Sequence, residues 1–255
     1  MSMRRFFVEE IKRMADSSCV ISGSEARHIL KVLRMTSGDQ FVLMDRGGDR
    51  YEAEIESVDG SEVLVKIIKP LQSPALPDLE ITLCQALLKS GAMDYLVEKT
   101  SELGVTCIIP FASERTIVKL DGDGTSNKVR RWREIAVSAA KQSDRIVPAE
   151  ISPPVRFIDI VQQWQNADFI KVILWEREES RDLKDLLRAS APGAHFIGMV
   201  GPEGGFSSGE VATAKEAGFI PVSLGKRILR AETAAITLVA IIQYEWGDLN
   251  LKGNF

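Results

Sequence analysis

From residue 79 onward the chain alternates between short apolar runs and helical patterns, and this alternation narrows the fold more than any other feature. The runs EITLCQALL, VTCIIPF, DFIKVILW, HFIGMV and FIPVSLG are almost continuously apolar, so both of their faces must be covered. Between them lie GAMDYLVEKTSELGV, NKVRRWREIAVSAAKQS, RDLKDLLRAS and SSGEVATAKEAG, which read as helices. Buried strands alternating with helices make a parallel α/β sheet. Gly104 stands where it can close the first helix in the left-handed conformation. The last stretch, ILRAETAAITLVAIIQYEW, is a long helix, apolar nearly all round, and such a helix is buried on more than one side. A partner subunit or a folded-over segment would cover it.

The first seventy or so residues follow a different pattern. RRFFV, DQFVLMD, YEAEIESV and SEVLVKIIK are short strands with turns at RGGD and VDGS, which suggests a small antiparallel β-barrel. One helix, GSEARHILKVLRM, carries a stripe of Ile29, Leu30, Val32 and Leu33, with Ser22 or Ser24 as its N-cap. The segment PLQSPALPD, residues 70–78, holds three prolines and reads as a linker. The expected domains are therefore 1–72 and 73–255.

Composition excludes several functions. At 255 residues and 45% hydrophobic, the chain can bury a sizeable core. Its net charge of −4 argues against a generic nucleic-acid coat, while leaving room for a local basic face. No window approaches the roughly 18 apolar residues of a membrane span. The start, MSMRRFFVEE, lacks the apolar core of a signal peptide, so a cytoplasmic location is expected. Cys19, Cys84 and Cys107 are odd in number and far apart, as reduced thiols would be, and with His28 and His195 they form no zinc spacing. No metal is expected.

Two glycine-containing segments carry the chemistry. GPEGGFSSGE, Gly201 to Glu210, leaves a strand and enters a helix. Ser207 and Glu210 match a capping box, which places the helix start. The segment lacks the lysine and hydroxyl of a phosphate loop, lies late in the domain and carries Glu203, which would repel phosphate. SLGKRILRAETAA, Ser223 to Ala235, also leaves a strand through a glycine. It is expected to enter its helix with Arg227, Arg230 and Glu232 on it. A third stretch, residues 113–145, is rich in basic residues, among them Arg115, Lys119, Arg130, Arg131, Lys141 and Arg145. With Arg4, Arg5, Arg27, Lys31 and Arg34 it could form a surface for a phosphate backbone.

In order along the chain come RRFF, HILKVLRM, KSGAMDYLVEKTSELGV, PFASERTIVK, RWREIAVSAAKQSDR, GPEGGFS and LGKRILRAETA. This series resembles the ribosomal RNA small subunit methyltransferase E family over essentially the whole chain. GPEGGFS together with LGKRILRAETA is the specific part of the likeness. The resemblance implies a C-terminal SPOUT domain, an α/β sheet threaded as a trefoil knot, behind a PUA-like β-barrel that binds RNA. It also implies a homodimer. The implied reaction is methylation of N3 of a uridine in 16S ribosomal RNA by S-adenosylmethionine, on naked RNA or the assembled small subunit.

By the same resemblance, the donor would lie among Leu174, Glu176, Met199, Gly201, Gly204, Gly205, Leu224, Gly225, Ile228, Leu229 and Thr233. Glycines there let backbone approach the adenosine closely. Arg230 would stabilise charge developing on a uracil oxygen. Glu232 or Glu203 would orient groups or take the N3 proton. The other roles open to them are helix-dipole complementation for Glu232 and turn support for Glu203. Arg4, Arg5, Arg34, Arg115, Gln142 and Arg145 could hold RNA. Rival readings are a SPOUT enzyme acting on another RNA such as transfer RNA, a non-catalytic RNA-binding protein, and an α/β nucleotide-binding protein.

Overall fold

A computed structural model describes residues 3–8, 11, 17–45, 47–72, 78–117 and 122–249. Residues 73–77 of the expected linker, and Lys119, lie outside the described residues. The chain divides into two compact units, Met1–Leu76 with Ala140–Pro148, and Pro77–Ala139 with Ala149–Phe255.

In the first unit the strands are β1 (Arg5–Phe7), β2 (Ser18–Ile21), β3 (Gln40–Met44), β4 (Arg50–Asp59) and β5 (Glu62–Pro70), with the short helix α1 (Gly23–Arg27) between β2 and β3. They form one sheet in the order β1-β3-β4-β5-β2. Three pairings are antiparallel, as expected, but β1 runs parallel to β3. The sheet is therefore mixed, and β2, whose four residues SCVI gave too short a pattern to find, forms one edge. Phe6 and Phe41 meet edge to face at 5.0 Å in a core with Ile29, Leu43, Ile55 and Val65.

The helix expected over GSEARHILKVLRM changes pitch halfway. After α1 the residues His28–Val32 form a π turn, and the Leu33 N–H donates to the His28 carbonyl at 3.0 Å. The wider turn rotates the stripe, so Ile29 is buried while Val32 points to solvent. Ser22 occupies the N-cap position, but its side chain makes no capping bond.

The second unit holds β6 (Glu80–Ala86), α2 (Ser90–Glu102), β7 (Cys107–Ala112), α3 (Gly122–Ser143), β8 (Glu150–Ile151), β9 (Val155–Arg156) and α4 (Phe157–Trp164). It continues with β10 (Ile170–Leu174), α5 (Leu183–Ala189), β11 (His195–Val200), α6 (Ser208–Glu216), β12 (Ile220–Val222) and α7 (Ala231–Trp246). Every pairing in its sheet is parallel, in the order β12-β10-β11-β6-β7-β8, with β9 also on β7. Strand β11 thus enters between β6 and β10, both earlier in the chain.

Helices cover both faces, as continuous apolar strands require. One face of the sheet, with Ile81, Leu83 and Phe196, packs on α2, α3, α5 and α7. The other, with Cys84, Ile197 and Met199, packs on α4 and α6. A Cβ at Gly198 would overlap Leu238, so a glycine in β11 is what lets α7 lie this close. Gly104 closes α2 as expected, with φ +95 and a Schellman pair: its N–H donates to Ser101 and the Val105 N–H to Thr100.

Candidate functional site

Three strands that are neighbours in the sheet, β12, β10 and β11, end along one edge at Val222, Leu174 and Val200. The segments that leave them are 175–182, 201–207 and 223–230. In open α/β sheets ligands bind outside the carboxyl ends of the strands. All three segments contain residues expected to form the site, and 175–182 touches each of the other two. A Cβ on Gly205 would stand 3.0 Å from Glu176 Oε1. Ser223 donates to the Arg181 carbonyl at 3.1 Å and accepts from Leu183 at 3.1 Å.

The segment Gly201–Ser207 is a tight turn with an internal bond from the Gly205 N–H to the Pro202 carbonyl at 2.9 Å. Gly205 has φ +67, a conformation that glycine adopts without strain. A Cβ on Gly201 would press to 3.2 Å on Phe206, whose ring stacks on Phe111 at 6.2 Å. The capping box is present: Ser207 Oγ accepts the Glu210 N–H at 3.2 Å, and Glu210 Oε2 accepts the Ser207 N–H at 3.0 Å. The other oxygen of Glu210 accepts the Glu114 N–H at 2.9 Å, so this buried carboxylate also ties down the segment after β7.

Two further side chains hold the turn. Gln85, fully buried on β6, donates to the Gly201 carbonyl at 3.3 Å and the Ala86 carbonyl at 2.9 Å. Arg115 Nη1 donates to the Gly204 carbonyl at 2.9 Å. Gln85 escaped the sequence reading, although its signal was present as the polar break in the run EITLCQALL. Arg115 was expected to meet RNA; the structure places its guanidinium on the turn.

The segment 223–230 is open by comparison. Gly225 has φ +100, and a Cβ there would meet nothing within 4 Å. Ile228 is 86% exposed. Helix α7 begins only at Ala231, with Arg230 as an extended N-cap residue. Arg227 and Arg230 therefore stand on the approach to the helix and not on it, a correction to the sequence reading. The helical look of ILRA came from propensity without a cap to fix the start. Arg230 and Thr233 are exposed, Glu232 sits in the first turn of α7, and Glu203 Oε1 accepts the Lys89 N–H at 3.4 Å. Leu174, Leu224 and Leu229 are half-buried at the edge, while the Met199 side chain is buried under the opposite face.

Neither cysteine of this unit is a thiolate at neutral pH. Burial pushes the Cys84 thiol far above its ordinary range, and burial pushes Cys107 up to about 11. Among the described residues no cluster of His, Cys, Asp and Glu could hold a metal, and no helix is long and apolar enough to cross a membrane.

Of the residues expected to hold RNA, Arg4, Arg5, Arg34, Gln142 and Arg145 fall in the first unit, because Ala140–Pro148 groups with it. Arg5 pairs with Asp144 at 3.0 Å and donates to the Lys141 carbonyl at 3.5 Å, which brings β1 against this segment. Asp144 also draws Arg50, at 3.8 Å, and Lys141 pairs with Glu25 at 2.6 Å. Arg4, Arg34 and Gln142 are exposed, and Arg145 is half-buried.

A family model described as an RNA methyltransferase domain matches residues 75–243, and one described as an RNA methyltransferase PUA domain matches residues 21–68. The chain is similar to the ribosomal RNA small subunit methyltransferase E of Bacillus subtilis, with 30% identity over 95% of this chain and 97% of that one. A crystal structure of that enzyme from Neisseria gonorrhoeae, bound to S-adenosylmethionine, matches with a TM-score of 0.86 and 32% identity over 97% of this chain and 100% of the other. A Legionella pneumophila protein solved with the same cofactor matches with a TM-score of 0.90 and 32% identity over 98% of this chain and 100% of the other.

Proposed function

The chain belongs to the ribosomal RNA small subunit methyltransferase E family of RNA methyltransferases, and from that premise we propose that it methylates N3 of one uridine in 16S ribosomal RNA with S-adenosylmethionine as donor. One observation carries the reading: two glycine-containing segments leave the carboxyl edge of three adjacent parallel strands, and the segment after β10 touches both. The residues there suit this donor, which has a sulfonium and no phosphate. The turn has no lysine and carries Glu203, and Glu176 lies against Gly205. The buried Gln85 Oε1 and Trp175 Nε1 have no hydrogen-bond partner among the described residues.

When bound, S-adenosylmethionine supplies a methyl group made electrophilic by its positive sulfur. The protein's own residues do the rest. The backbone of Gly201–Gly205 and of Leu224–Gly225 holds the adenosine, and Ile228 and Leu229 cover its faces, with Thr233 and the end of β10 completing the wall. Met199 contributes backbone alone. Methylation at N3 forms an N–C bond, breaks the methyl–sulfur bond to leave a neutral thioether, and breaks an N–H bond, so a proton must leave. Arg230, exposed at the mouth, stabilises the negative charge that grows on a uracil oxygen. Glu232 or Glu203 takes the proton or orients the base. The uridine must leave its stack to reach this edge. Arg4, Arg34 and Gln142 hold the RNA backbone from the first unit, with the domain division at 72/73.

We further assign a homodimer, a trefoil knot in the second unit and a cytoplasmic location. The entry of β11 between β6 and β10 supports the knot. The test is methyl transfer to purified small subunits and to naked 16S RNA, with the modified base mapped. One N3-methyluridine in 16S RNA is expected. Methylation of transfer RNA alone would favour the rival RNA target, and no methylated uridine on any substrate would sink the reading.

A further inference from the structure

In the 113–145 stretch Arg133 and Arg115 each end on a backbone carbonyl, Arg133 on Ile151 and Arg115 on Gly204 of the glycine turn. The turn that carries Arg115 is closed on itself, since Thr116 donates to the Ser113 carbonyl at 3.1 Å and Ser113 donates to Thr116 Oγ1 at 2.9 Å. The preceding residue is pinned through its N–H by the buried Glu210 carboxylate. From this fixed base the side chain lies along Gly204. A Cβ on Gly204 would stand 3.4 Å from Arg115 Cβ and 3.5 Å from Cδ, and Nη1 ends on the Gly204 carbonyl. Arg115 is exposed, yet its guanidinium is placed on a backbone carbonyl in the middle of the glycine turn.

We infer that Arg115 is a positioning residue that holds Gly204 in the shape the methyl donor requires, and not a contact to RNA. The inference rests on the donor site assigned above. Gln85 does the same for Gly201 from the other side of the turn. Both ends of the Gly201–Gly204 stretch are thereby fixed before any ligand arrives, and such preorganisation lowers the ordering cost of binding. Glu210 ties the Arg115 turn to the start of α6, because one carboxylate accepts from both Glu114 and Ser207.

Calorimetry with S-adenosylmethionine tests this on the full-length protein, using R115A, R115M and R115K. R115M keeps the packing along Gly204 and loses the donor bond, so it stands in if R115A fails to fold. Loss of a charge-assisted bond predicts donor binding about tenfold weaker in R115A and R115M. R115K, which retains an N–H donor, should recover most of that loss. Affinity for a 16S RNA fragment and the melting temperature without ligand should stay near wild type. Unchanged donor affinity with weakened RNA binding overturns the inference. If the wild-type protein takes no donor, the donor site itself fails and the inference falls with it; wild-type binding with an unaltered R115M sinks the inference alone.

Discussion

The two glycine-containing segments at the sheet edge differ in composition, GPEGGFS against the basic SLGKRILR, and have opposite mechanics. Gly201–Ser207 is held by Gln85, Arg115 and Glu210, and Phe206 anchors it in the core. Residues 223–230 have an exposed Ile228, a glycine with empty space around it and an arginine at the end. One wall of the site is finished in the free protein, while the other exposes apolar surface to water. One exposed side chain is ordinary on a protein surface; what sets this segment apart is Ile228 together with Gly225, against which nothing packs within 4 Å. The braced wall fits shape recognition of the donor, and the open wall fits cover over it and contact with the acceptor.

This contrast can be broken by substitution. Changes inside the braced turn or at its buried anchor Glu210 should cost stability and donor affinity together, changes at the exposed Arg115 should cost donor affinity alone, and changes in the open wall should cost function without stability. The largest loss is expected from Glu210→Ala, which removes the partners of two backbone N–H groups at once, at about 3 kcal/mol in urea unfolding. Gly205→Ala comes next. It puts a Cβ at positive φ and against Glu176, at about 1–2 kcal/mol with weaker donor binding in calorimetry.

In the open wall, Arg230→Ala should keep the melting temperature and donor binding but lose turnover; unfolding of the variant would make Arg230 structural. Ile228→Ala should leave stability within about 0.5 kcal/mol, as exposed substitutions do, and still weaken the donor. Equal stability losses in both walls would erase the contrast. The smallest effect should come from thiol chemistry. Alkylation of Cys107 should be slow near neutral pH and quicken as pH rises toward about 11, without reversing the order of the other variants. Rapid labelling near neutral pH would show an accessible thiolate.

The parallel sheet was legible because five apolar runs announce it, and the Ser207–Glu210 box was legible because capping is local. What escaped notice was short or distant. β8 and β9 have two residues each, and α4 has eight with no glycine to end it. The parallel β1–β3 pair depends on residues 37 apart, as Arg5 opposite Val42. Gln85 and Gly201 meet across 116 residues, and no local pattern encodes a bond of that span. The π turn at His28–Val32 changed the burial of Val32 without altering the hydrophobic content that predicted a helix. The glycines of the two segments could be identified from sequence. Which segment is braced could not, because the braces come from β6, the turn after β7 and α6.

The placement of β11 has a consequence in time. β6 and β10 are synthesised before the strand that separates them, and α7 can close over Gly198 only after that strand has docked. Pairings this far apart in sequence form late and slowly. An unfinished chain on the ribosome therefore has no complete edge for the two glycine segments to share before the last third of the protein has been made.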